Sequence, residues 1–115
     1  MNAGTVADAD PFEVVARLSE IPPGGLLGVR NGTGQFICLV RFNGEVRAIA
    51  DCCTHREFAL SQGELHDDGG VECAWHGATF DTATGAATQG PAVKPVQRYA
   101  VRVADDTIWL GGKLP

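Results

Sequence analysis

The stretch that decides the reading is CTHREFALSQGELHDDGGVECAWHG, residues 53–77. It sets Cys53 and His55 two positions apart and Cys73 and His76 three apart, with seventeen residues between the pairs. The chain has only three histidines and four cysteines, so this spacing concentrates most of its soft ligands in two short loops. Each loop offers one thiolate and one imidazole.

Four such ligands admit two metal readings. One zinc ion could take all four in a tetrahedron, or a binuclear iron–sulfur cluster could take both cysteines on one iron and both histidines on the other. Common two-cysteine, two-histidine zinc units keep like ligands together, in the order Cys, Cys, His, His. Here the order is Cys, His, Cys, His. Two similar loops facing each other would then supply one thiolate each to an inner iron and one imidazole each to an outer iron, so the second geometry matches better.

Outward from this stretch, the texture is that of a β protein. The 115 residues suit one domain, typically about 100–150 residues, and a hydrophobic fraction of 44% is enough for a modest core. Fifteen glycines and six prolines, with valine, isoleucine, threonine and aromatics in short bursts, favour turns and strands over long helices. Strands are predicted at FEVVARL (12–18), LLGVR (26–30), QFICLVRF (35–42), EVRAIA (45–50), VQRYAVRV (96–103) and TIWLG (107–111). Turns are predicted at SEIPPGG, NGTG, Asn43-Gly44 and Asp105-Asp106. Residues 51 to about 94 are predicted as loops, and residues 1–10 as a loose lead-in.

The net charge of −5 argues against a nucleic-acid binder, which would show a clustered basic face. An acidic surface for a protein partner fits better. The start MNAGTVADAD carries no basic region followed by an apolar one, and no apolar run approaches the roughly 18 residues that cross a bilayer. The expectation is a cytoplasmic protein away from membranes, with cysteines that bind metal or are buried rather than bridged.

The pattern C-x-H, seventeen residues, C-x-x-H-G resembles the Rieske [2Fe–2S] family. The likeness extends to FALSQGEL after the first loop, HGATFDTATG in the second, and GPAVKPVQRYAV as a third, proline-containing loop with its returning strand, over roughly residues 45–104. It implies an all-β Rieske fold: an antiparallel sandwich-like base (about 11–50 and 95–112) carrying a smaller, loop-rich cluster-binding subdomain (about 51–94). It implies one [2Fe–2S] cluster per chain, with Cys53 and Cys73 on one iron, His55 and His76 on the other, and Gly90, Pro91 and Ala92 shielding a third side.

Two neutral imidazoles in place of two anionic thiolates raise the reduction potential relative to an all-cysteine cluster. Groups around the ligands then tune it. High-potential relatives resemble the second loop but carry Ser two positions and Tyr four positions after the His, where this chain has Ala78 and Phe80. Their extra pair of disulfide-forming cysteines is replaced by Phe58 and Trp75. Both departures imply a ferredoxin-like potential near the low end of the family range, roughly −150 mV.

A complete Rieske oxygenase also needs a mononuclear iron held by two histidines and a carboxylate. Once the cluster takes His55 and His76, only His66 remains. The resemblance therefore implies a non-catalytic electron carrier, serving a terminal oxygenase from a flavin-dependent ferredoxin reductase. An acid such as Glu57 after the first histidine is more frequent in ferredoxin components, although Arg56 stands between. The alternatives are a small subunit of a larger oxidoreductase, such as a nitrite reductase, and a zinc-stapled interaction module. Cys38 is expected as a buried hydrophobe, Cys52 as a packed or partly exposed thiol, and His66 as exposed in a polar turn. Trp75 is expected to shield the cluster, with Tyr99 and Trp109 in the base core.

Overall fold

The computed structural model describes residues 12–54, 58–74, 77–90 and 94–115. Its strands are β1 (Glu13–Arg17), β2 (Leu26–Arg30), β3 (Phe36–Phe42), β4 (Glu45–Ala50), β5 (Glu64–Leu65), β6 (Gly70–Glu72), β7 (Thr79–Asp81), β8 (Ala87–Gln89), β9 (Arg98–Ala104) and β10 (Thr107–Lys113). Short 3-10 turns span Leu18–Glu20 and Leu60–Gln62. The predicted base strands fall on these elements to within two residues at each end, and the turns predicted at NGTG, Asn43-Gly44 and Asp105-Asp106 join β2 to β3, β3 to β4 and β9 to β10. Asn43 and Gly44 take φ values of 52° and 78°, as a two-residue hairpin that matches strand twist requires, and this sets Phe42 opposite Glu45.

All pairing is antiparallel. One sheet has six strands in the order β1-β10-β9-β4-β3-β2, and the other has four in the order β5-β6-β7-β8. The outer strands of the larger sheet approach each other, and Glu13 on β1 accepts a hydrogen bond from the Gly32 amide, just past β2, at 2.9 Å. β4 pairs with β9 through Ala48 opposite Tyr99 and Ile49 opposite Arg98. The chain between them therefore leaves the base and returns to it at adjacent strands.

β3 and β4 are buried on both faces. Ile37, Leu39 and Ala48 join Ala16, Ile21, Tyr99, Ile108 and Leu110 in the base core. The alternate residues Cys38, Val40 and Ile49 join Cys53, Leu60, Val71, Cys73, Ala78, Phe80 and Val96 in a second core under the smaller sheet. This explains why ICLV is a continuous apolar run rather than an alternating one. In EVRAIA likewise, Ala48 and Ile49 are both buried because each face has its own core.

Two expectations need correction. Residues 51–94, read as loops, contain the four strands β5–β8, each two or three residues long and too short for alternation to show. Trp109, read as core, is only half-buried. Its neighbours Ile108 and Leu110 take the inward positions, and Trp109 pairs across the sheet with the exposed Val14 and Arg102. Tyr99 does lie in the base core. No helix among the described residues is long and apolar enough to cross a membrane.

Candidate metal centre

Cys53 follows the end of β4 and Cys73 follows β6, and the two thiols enter the same apolar core. They are 2% and 1% exposed. The loops are built alike. The Cys53 amide donates to the carbonyl of Phe58 at 2.9 Å, and the Cys73 amide donates to the carbonyl of Ala78 at 2.7 Å. Each bond spans five positions and closes a small loop that holds one of the sequence-read histidines, His55 in the first and His76 in the second. Those histidines lie outside the described residues, as do residues 1–11, Arg56, Glu57, Trp75, Pro91 and Ala92.

The donor chemistry fits an iron–sulfur centre. None of the four cysteines is in a disulfide, and Cys53 and Cys73 are sulfur donors held where apolar neighbours exclude water. Ala78 and Phe80, at the positions read as tuning the potential, are completely buried in the same core. Neither offers a side-chain hydrogen-bond donor. Cys38 is the buried hydrophobe expected of it: burial pushes its thiol well above the ordinary range, and the Asp51 carboxylate adds to that. Cys52 is exposed, with its thiol 3.8 Å from the Cys53 carbonyl oxygen.

Three attachments around the loops are not apparent from ligand spacing. The Thr54 hydroxyl, between Cys53 and His55, donates to the carbonyl of Lys94 at 2.7 Å and ties the first loop to the third. Asp51 is bonded to Ser61, ten residues on, by both of its carboxylate oxygens. Gly63 leaves the backbone of Glu72 room to approach, since a Cβ there would sit 1.9 Å from the Glu72 carbonyl oxygen.

His66 also differs from expectation. It is half-buried, with Nε2 2.7 Å from a carboxylate oxygen of Glu72. Glu72 stands opposite Glu64 in the β5–β6 pair, and the ligand atoms of Glu64, His66 and Glu72 lie within 4.8 Å of one another. The period of two along ELH places Glu64 and His66 on one side, a signal that was present in the sequence. The Glu72 carboxylate reaches toward the second loop, 3.3 Å from where a side chain at Gly77 would begin.

Two cysteine loops closed by matching hydrogen bonds deliver their thiols to one apolar core beside an antiparallel base, an arrangement that suits an iron–sulfur protein. The chain belongs to the Rieske family: the profile of the Rieske [2Fe-2S] domain matches residues 12–100. Its cofactor is accordingly one Rieske-type [2Fe–2S] cluster. The chain is 38% identical over 93 residues to the 3-phenylpropionate/cinnamic acid dioxygenase ferredoxin subunit of Escherichia coli strain K12, covering 81% of this chain and 86% of that one. Among solved structures it resembles the ferredoxin of carbazole 1,9a-dioxygenase from Nocardioides aromaticivorans IC177, with a TM-score of 0.79, 34% identity, and coverage of 86% and 95%. A chain in the complex of reduced oxygenase and oxidized ferredoxin in carbazole 1,9a-dioxygenase superposes with a TM-score of 0.82 at 27% identity, over 90% of this chain and 97% of that one.

Proposed function

We propose that this chain is the ferredoxin component of a multicomponent oxygenase system, accepting one electron from a flavin-dependent reductase and delivering it to a terminal non-haem iron oxygenase. The observation that carries this reading is the match to two dioxygenase ferredoxins over most of their own length, 86% of the E. coli subunit and 95% of the Nocardioides protein.

In this reading Cys53 and Cys73 hold one iron and His55 and His76 the other. Bound there, the cluster supplies a one-electron couple. The chain's own contribution is to fix the ligands and keep water away. The buried Cys53 and Cys73 bind from the interior, and the paired loop hydrogen bonds hold their backbones. The apolar side chains of Leu60, Val71, Ala78, Phe80 and Val96 line the inner side, and Thr54 keeps the third loop against the first. The cluster-binding subdomain runs over about residues 51–94 and the base over about 11–50 and 95–112.

The test is reconstitution with a flavin-dependent reductase and a terminal oxygenase under anaerobic conditions. The reductase is expected to bleach the oxidised protein, and addition of oxygenase to restore its colour. Product formation should then rise with the concentration of this protein. If oxygenase turnover is the same without it, or if the protein purifies as a fixed subunit of a reductase, the carrier reading fails.

A further inference from the structure

Asp51 stands two residues before Cys53 and is 8% exposed. Its Oδ1 accepts the Ser61 amide at 2.6 Å and its Oδ2 accepts the Ser61 hydroxyl at 2.6 Å, while its own amide donates to the Phe36 carbonyl at 3.0 Å. Ser61 lies in the 3-10 turn Leu60–Gln62, whose Leu60 packs in the core shared by Cys53 and Cys73. The first cysteine loop is thus closed twice, by a side-chain rung from Asp51 to Ser61 and by the backbone rung from Cys53 to Phe58. β2 leaves space for the outer rung: a Cβ on Gly28 would fall 2.8 Å from Ser61 Oγ and 3.0 Å from Asp51 Oδ2.

Among the described residues no basic side chain forms an ion pair with Asp51. Both of its carboxylate oxygens are held by neutral donors of Ser61. The charge reaches the core, where it contributes to the raised Cys38 thiol. A fixed negative charge close to a redox centre opposes the arrival of an electron.

We infer that Asp51 is a positioning residue for the metal centre, clamping the first cysteine loop through Ser61 while its charge holds the reduction potential down. This rests on the assignment of Cys53 as a ligand, which is tested separately: a Cys53→Ser protein that keeps a full cluster would remove that assignment. Whether Asp51 acts through its charge is decided by the sign of the shift in two further variants of the full-length, cluster-loaded protein.

Asp51→Asn removes the charge at constant shape and is expected to favour reduction about tenfold, an upward shift of about 59 mV for one electron. Ser61→Ala keeps the charge and removes one of its donors, so the potential is expected to fall while iron is released faster to a chelator. A clamp with no electrostatic role would loosen the loop in both variants and move both potentials in one direction. Two upward shifts, two downward shifts, or no shift in Asp51→Asn overturn the inference. Should Asp51→Asn purify without a cluster, Ser61→Ala decides alone: a lower potential sustains the inference, and an unchanged or higher one overturns it.

Discussion

The amide of Cys73 donates to the carbonyl of Ala78 at 2.7 Å, across the loop that holds His76 in sequence. The backbone of position 78 is thereby pinned to a proposed ligand while its side chain, a buried methyl, gives the centre nothing to bond to. Installing hydroxyls by Ala78→Ser and Phe80→Tyr is expected to raise the reduction potential. Each new bond, worth about 1 kcal/mol, corresponds to about 40 mV for one electron. A redox titration followed by visible spectroscopy measures this, and a potential that stays put or falls in the double variant would contradict it.

The four proposed ligands separate sharply from the other two cysteines. Cys53→Ser, Cys73→Ser, His55→Ala and His76→Ala are each expected to abolish normal cluster loading. Cys38→Ala and Cys52→Ser should keep two irons per chain. Iron and acid-labile sulfide analysis of the purified proteins tests the set, and cluster loss on Cys52→Ser would mean that the ligand assignment is wrong.

Gly63 sets the distance between the Leu60–Gln62 turn and the residue preceding Cys73. Because a methyl there would meet the Glu72 carbonyl at 1.9 Å, relief requires backbone movement. Gly63→Ala is expected to cost about 1–3 kcal/mol, the range for inserting atoms into a packed site. Urea unfolding at constant m-value gives the cost. A neutral substitution would show that β5 and β6 yield more readily than their pairing suggests.

The buried Cys38 thiol makes alkaline stability depend on pH in a defined direction. Its folded-state pKa is raised, first by burial and then by Asp51, so the native protein retains a proton that the unfolded chain gives up above about pH 8.5. Below that pH the contribution is fully present, and above it stability falls by up to about 1.4 kcal/mol per pH unit. Melting temperatures from pH 7 to 10 should therefore decline more steeply for the native sequence than for Cys38→Ala. The difference in slope is the readout, since the alanine also leaves a small void.

The base strands are legible because their signals are local. Asn43-Gly44 demands a hairpin turn, and strands of five to seven residues are long enough for burial to leave a pattern. Cys53 and Cys73 stand out for a different reason: thiols near histidines have few explanations, and the interleaved order narrows them further. The smaller sheet stays hidden because strands such as Glu64–Leu65 carry no period at all. The Asp51–Ser61 and Thr54–Lys94 bonds join positions ten and forty apart, through residue types that are equally at home in any exposed loop. Trp109 misleads because bulk argues for burial, whereas the register of β10 with β1 and β9 turns it outward.

The pairing of Ala48 with Tyr99 gives the base an engineering property. Residues 51–97 depart and rejoin at neighbouring strands, whose spacing is about 4.8 Å. The span a replacement must bridge is thus that of an ordinary hairpin. The metal-carrying segment is a cartridge plugged in between Ala50 and Arg98: its removal leaves the strand order of the base untouched, and a replacement has to cover Cys38, Val40 and Ile49, which it now buries.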